Sequence, residues 1–349
     1  MPDLPFKAWP KGPDAIDTDA GAVKRMYENG FAGCDLRAKS VAAANELFED
    51  TIRAGGGWPI GDDPARLFGI EGRGENKLAV NFPDVLKLWP DALPGPAQQR
   101  GDCVSFSQRT ADMVTIAVEI NRGWPDEITG LVDGVPDIPL EGQRNGCFST
   151  EWSYWHRGYK SDGWSCSSSA RVSTVHGCMI RKAYSDELDL TTYSGQLAGR
   201  YGRRPPPDDF ESIGRKHLIR TATRLNGLEQ VRDYVASGFG CGSCGGEGFS
   251  STRNADGVSR RRGNWNHAMA VCGFDDRPEI VRKYGPLVLF QNSWGRFNSG
   301  PRTIRGTSIK IPHGSFWARW SDVRRRTYYA MSSAMGWRPK RLHRIKTRW

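Results

Sequence analysis

Helical periodicity and strand-like runs occupy different parts of this chain, and that segregation restricts its fold more than any other feature. Apolar residues recur at helical spacing in "SVAAANELFEDTIRAGGG", where Ser40 can cap the start and Gly55 can stop it. In "GDCVSFSQRTADMVTIAVEINRG", Phe106, Thr110, Met113, Ala117 and Ile120 share one face, with Val114 and Val118 beside it. This predicts a long buried helix ending at Gly123. Asp102 suits the N-cap and places Cys103 in the first turn. "CFSTEWSYWHRGY" reads as an aromatic helix and "YGRRPPPDD" as a break. "NGLEQVRDYVASG" reads as a helix with Asn226 as cap, Glu229 at the capping-box position and Gly238 as stop. After that, "HAMAVCGF", "PLVLF", "TSIKI" and "SFWARW" are strand-like runs between Gly, Pro and Asn turns. Helices followed by strands predict an α+β protein with a helical half and a β half.

The 349 residues suffice for one large domain or two modest ones, and 13 Trp, 10 Tyr and 14 Phe supply aromatic anchors for a core. The net charge of +10 is unevenly spread. "GWRPKRLHRIKTRW" carries Arg338, Lys340, Arg341, Arg344, Lys346 and Arg348 and no acid. Such a tail is either a solvated terminus or a site for nucleic acid, an acidic protein surface or anionic lipid. Arg260, Arg261 and Arg262 read as a solvated hairpin. No run approaches the ~20 apolar residues of a membrane span. "MPDLPFKAWPKGPD" has no apolar core of a secretory signal. The expectation is reduced thiols and a cytoplasmic or virion-associated protein.

Two thiol sites compete for a chemical role. "GFGCGSCGGEG", residues 238 to 248, carries Cys241 and Cys244. A nucleophilic thiol must be a thiolate, and a helix N-terminus with a nearby His lowers its pKa from ~8.5 to ~3–4. Cys103 has the predicted helix, whereas "GGEGFSS" after Cys244 cannot start one. A structural zinc site needs four ligands, and there is no second CxxC. Cys241 and Cys244 are therefore expected in a tight turn after Gly238, with a redox disulfide or a metal site as alternatives. Downstream, His267 opens one predicted strand and Asn292 closes another. Cys, His and Asn in that order match a nucleophile, its acid/base partner and the group that orients the imidazole.

These residues carry a resemblance. Asn292-Ser293-Trp294-Gly295, His267 within "WNHAMAVCGF", and Gln98 through Phe106 resemble motifs of the papain-like (C1) cysteine peptidases, especially divergent bacterial and bacteriophage forms. The likeness spans residues 94–330. It implies a two-lobed α+β fold with a helical lobe and an antiparallel, barrel-like β lobe. It divides the chain into an N-terminal extension (1–93), a helical lobe with the nucleophile (94–225), a β lobe with His and Asn (226–330) and a basic tail (331–349). The extension is a pro-segment or accessory region by position.

By the same resemblance, Cys103 attacks a peptide carbonyl, His267 pairs with the thiolate as an ion pair and protonates the leaving amine, and Asn292 orients His267. Trp294 shields that hydrogen bond, and Gln98 and the Cys103 N–H form the oxyanion hole, with Gln99 competing for the Gln98 role. Ser165 and Cys166 offer backbone hydrogen bonds to substrate, Asn266 lines the cleft, and neither metal nor organic cofactor is called for. The sequence departs from the family at Arg100-Gly101-Asp102-Cys103-Val104, where the first Cys of the usual pair, and with it that Cys's disulfide, is absent. The Gln lies one residue closer to the nucleophile than usual, and His267 lies further past Cys103 than the usual ~130–150 residues. The implied activity is a cysteine endopeptidase acting on polypeptides through a thioester. The rivals are a peptidase-like structural or virion assembly protein and a cell-wall peptide hydrolase.

Overall fold

The computed structural model describes residues 71–121, 131–132, 135–136, 148–202, 206–217, 219 and 221–332. The helix expected from Ser40, the expected stop of the long helix at Gly123 and the basic tail beyond residue 332 lie outside the described residues.

The chain enters through β1 (Leu78–Val80) and α1 (Phe82–Leu88), which has a proline in its first turn. The predicted long helix is α2 (Cys103–Asn121). Every residue from Gly101 to Val118 is buried, so α2 is a central helix covered on all sides and not an amphipathic surface helix. Some of its polar residues are paired inward, although Ser105 Oγ and Ser107 Oγ have no hydrogen-bond partner. Gln108 Nε2 and Ser173 Oγ each donate to Asp112 at 2.8 Å.

Two short pairs, β2 (Leu131–Val132) with β3 (Val135–Pro136) and β4 (Ala183–Ser185) with β5 (Leu188–Asp189), flank the helical region. Between them lie α3 (Thr150–Trp155) and α4 (Cys166–Val175), capped by Ser149 and Ser165 respectively. Next come α5 (Gly195–Ala198) and α6 (Asp208–Gly214). Trp152, Trp155, Met179, Leu188 and Leu190 form a small aromatic core of their own here.

β6 (Thr221–Leu225) leads to α7 (Gly227–Ala236), and Gly238 follows it with φ +92°. The predicted capping box differs in detail: Asn226 makes no side-chain cap, and its N–H donates to Gln230 Oε1 at 2.7 Å. The remaining elements are β7 (Gly240–Arg253), β8 (Ser259–Asp275), α8 (Pro278–Tyr284), β9 (Leu287–Gln291), β10 (Ser315–Arg319), α9 (Trp320–Val323) and β11 (Thr327–Ser332). The main sheet is antiparallel in the order β10-β9-β8-β7-β11-β6, an open path with β1 added beside β8. The molecule is thus α+β, as the segregated patterns predict.

Two strand expectations fail for identifiable reasons. "TSIKI" makes a single bridge, Thr303 with Lys310, and folds back on residues 302–304 through Ile304 N–H to Ile309 O and Ile311 N–H to Arg302 O. Conversely, the Gly-rich stretch holding Cys241 and Cys244 is not a turn but the first half of β7. Glycine is poor in strands because it has no side chain to pack and much freedom to lose. Here its lack of a side chain is what the packing needs. A Cβ on Gly240 would run into the Ala111 backbone of α2, one on Gly242 would stand 3.3 Å from Ser107 Oγ, and one on Gly245 would meet Arg326. The glycines form a floor on which α2 lies. Among the described residues no helix is long and apolar enough to cross a membrane.

Candidate active site

Cys103 is the first residue of α2 and is fully buried. The segment before it is held from both sides. Asp162 accepts from Arg100 Nε at 2.7 Å and from the Gly101 N–H at 3.2 Å, and Tyr154 Oη donates to the Gly101 carbonyl at 3.2 Å. Gln98 and Gln99 diverge. The Gln98 N–H donates to the Ser293 carbonyl at 2.8 Å, Ser293 Oγ donates to Gln98 Oε1, and Gln98 Nε2 donates to the Arg100 carbonyl at 2.7 Å. Gln99 Oε1 accepts from the Gly195 N–H at 2.9 Å, on the side of α5. Only Gln98 lies on the Asn292-Ser293 side.

Asp102 does not cap α2 through its side chain. Its Oδ2 accepts from Tyr193 Oη at 2.9 Å, and its Oδ1 is buried with no hydrogen-bond partner. Burial raises its pKa to about 8, against the lowering effect of the Tyr193 hydrogen bond, so the group is mostly protonated at neutral pH. Next to the thiol in sequence, Asp102 therefore carries little negative charge at neutral pH.

His267 sits in β8 opposite Gly245 of β7, and Asn292 follows β9. Asn292 Oδ1 accepts from His267 Nε2 at 2.7 Å and from the Ser293 N–H at 2.8 Å. A backbone N–H can only donate, so the second bond fixes which end of the amide is oxygen. His267 therefore carries its proton on Nε2 when neutral, which leaves a lone pair on Nδ1. That Nδ1 is buried with no hydrogen-bond partner. Trp294 stacks on the His267 ring at 4.5 Å between centroids, with Trp265 and Phe297 packed around it.

The sequence reading missed Arg326. Its guanidinium is buried and donates to the His267 carbonyl at 2.6 Å and to Ser243 Oγ at 3.2 Å, and it forms an ion pair with Glu247 at 3.3 Å. Burial, with the Arg326 charge adding to it, pulls the His267 pKa down to about 3 despite the lift from Asn292. The ring is neutral in this arrangement, not the imidazolium expected from the resemblance. A thiolate beside Nδ1 is the charge that would reverse this.

The expectation of reduced thiols is overturned for one pair. Cys166, at the start of α4, is bonded to Cys244 of β7, with Cα atoms 6.0 Å apart. The missed signal was distance: the two lie 78 residues apart, so no local spacing pairs them. Cys241 remains a free thiol on the same strand. Ser165 Oγ accepts from the Ser168 N–H at 3.1 Å as the α4 cap. Asn266 is half-buried beside His267, and Arg260, Arg261 and Arg262 are exposed on β8 as expected.

No family model matches the chain, and no curated protein matches it. Among solved structures it is similar to xylellain, a cysteine protease from Xylella fastidiosa, at 15% identity and a TM-score of 0.41, covering 73% of this chain and 90% of that one. It is also similar to the proform of Amb a 11, a ragweed pollen allergen and cysteine protease, at 13% identity and 0.46, covering 88% and 77%. Procathepsin B S9 from Trypanosoma congolense gives 12% identity and 0.36, covering 88% and 95%. Likeness at these scores assigns no function, which rests on the site's own geometry.

Proposed function

We propose that this chain is a papain-like cysteine peptidase, with Cys103 as nucleophile, His267 as acid/base and Asn292 as orienting group. The observation that carries this reading is the His267–Asn292 bond at 2.7 Å, which leaves a buried Nδ1 lone pair with nothing yet to accept from. Packing register supports the pairing with Cys103. Ala111 lies over Gly240 and Ser107 over Gly242, so α2 advances one turn for every two strand residues. One more turn brings Cys103 over Cys244, whose neighbour Gly245 pairs with His267.

Nδ1 takes the thiol proton as Sγ attacks the carbonyl carbon of a peptide. The C–N bond breaks, His267 gives that proton to the departing amine, and a thioester remains. Water, deprotonated by His267, then hydrolyses it and frees Cys103. The helix dipole and the free N–H groups of the first turn of α2 favour the thiolate. Gln98 and the Cys103 N–H face the developing oxyanion, Trp294 keeps water from the His267–Asn292 bond, and Ser165, Cys166 and Asn266 line the substrate path. Cys103 is fully buried in this arrangement, so substrate reaches its sulfur through local opening of the cleft.

Turnover of a mixed peptide library tests the assignment. Cys103→Ser abolishes it, and His267→Ala lowers kcat by roughly 10²–10⁴-fold. Gln98→Ala lowers it by about 10²–10³-fold, while Gln99→Ala has a much smaller effect. Equal losses for the two glutamines, or turnover retained by Cys103→Ser, contradicts the reading.

A further inference from the structure

A second cluster of reactive side chains lies apart from Cys103 and His267. His156 ends α3, His176 ends α4, and Glu211 belongs to α6. One donor atom from each lies within 4.8 Å of the others. Glu211 Oε1 is 2.8 Å from His176 Nδ1 and 3.6 Å from His156 Nδ1. The two imidazoles stack with centroids 4.1 Å apart. His156 is fully buried, and neither of its ring nitrogens has a hydrogen-bond partner. A buried imidazole is normally partnered, and one aimed at a carboxylate and a second imidazole lacks only an electron-pair acceptor.

We propose that His156, His176 and Glu211 bind a divalent transition metal, zinc being the best fit, with water completing the coordination. Two imidazole nitrogens and one carboxylate oxygen suit zinc, nickel or cobalt better than magnesium or calcium. Ligands ~2.0–2.1 Å from a tetrahedral zinc stand about 3.4 Å apart, and the two measured separations bracket that value. The site is also built to be narrow. Trp152 sets its ring edge-on to His156 at 4.6 Å and ties its Nε1 to the Gly177 carbonyl at 2.9 Å. A Cβ on Gly214 would collide with Trp152 and with the His176 carbonyl. The C-terminus of α4, the negative end of its dipole, points at the cluster and favours a cation.

Two arginines oppose the cation. Arg215 reaches Glu211 Oε2 at 3.5 Å, but from a mostly exposed position and on the oxygen that does not face His156. Arg171 adds a further positive charge near His156. The competing arrangement is a metal-free His176–Glu211 ion pair with His156 stacked on it.

The test uses the full chain carrying Cys103→Ser, so that the proposed nucleophile cannot compete for metal, after removal of metal with a chelator. Zinc is titrated by calorimetry, the melting temperature is followed, and cobalt is added as a visible probe of geometry. The proposal predicts one equivalent of zinc lost on adding Glu211→Gln or His156→Phe, a rise in melting temperature with zinc only where Glu211 and His156 are intact, and a tetrahedral cobalt band lost in both variants. Glu211→Gln keeps the side-chain shape and His156→Phe keeps the aromatic volume, so binding is read on folded protein. Zinc bound equally by all three proteins, or by none, overturns the proposal in favour of the ion pair.

Discussion

Asp102 stands one residue before the proposed nucleophile, where an ionised carboxylate would oppose a thiolate. Burial removes the difficulty by holding the carboxyl pKa at about 8, against the lowering effect of the Tyr193 hydrogen bond. Its folded pKa lies above the ~3.9 of an unfolded chain, so its contribution to stability is complete below about pH 4 and is lost as pH rises through about 8. Asp112, raised to about 7 by burial, acts in the same direction. His267 acts oppositely: its pKa of about 3 lies below the unfolded ~6.5, so its contribution is present above ~6.5 and is lost as pH falls through about 3. Asp102→Asn is therefore expected to flatten the fall of the urea midpoint between about pH 4 and about pH 8 and to extend the kcat/KM plateau above pH ~8. Both profiles unchanged by the substitution would show that Asp102 does not titrate beside the thiol. Cys103, His267 and Asn292 stand out in sequence because each sits in a distinctive local run. Tyr193, Asp162 and Arg326 do not, because each reaches the site from a distant loop or strand end and has ordinary neighbours.

The elements were legible where one pattern decides an element's fate. α2 and β9 follow from the run of apolar residues alone. β7 does not, because its glycines argue against a strand until α2 is laid on it. The Cys166–Cys244 bond joins the start of α4 to that same floor. A disulfide typically contributes about 2–4 kcal/mol, chiefly by restricting the unfolded chain. Replacing both cysteines with Ser is expected to lower unfolding free energy by about that amount, measured by urea denaturation. It is also expected to cost several-fold in turnover, because the floor beneath Cys103 and the proposed substrate path at Ser165 lose their tie. Unchanged stability would mean that the thiols are not bonded in solution. Cys241→Ser, three residues from Cys244 on β7, leaves that bond intact and serves as the control.

At the scale of the molecule, the order of patterns anticipates an α+β protein, and the open antiparallel sheet bears that out. What that order could not convey is how the halves interlock. β6 precedes α7 in sequence yet closes one edge of the sheet beside β11, and β1 from the amino-terminal side pairs with β8. Register between strands far apart in sequence depends on packing that no local pattern records. Among the described residues, the same interlocking buries four free thiols in very different settings. Burial pushes Cys272 up to about 12 and, with Cys272 nearby, Cys241 higher still, which makes both poor nucleophiles.

That contrast gives the most direct measurement. Protein incubated without reductant with a peptidyl epoxide, then mapped by mass spectrometry, is predicted to carry, among the thiols of the described residues, an adduct on Cys103 alone. Labelling is predicted to disappear in Cys103→Ser and to slow sharply in His267→Ala, with Cys178, Cys241 and Cys272 unmodified in all three. Adducts spread over the other thiols, or labelling of Cys103 at an unchanged rate in His267→Ala, would contradict the account.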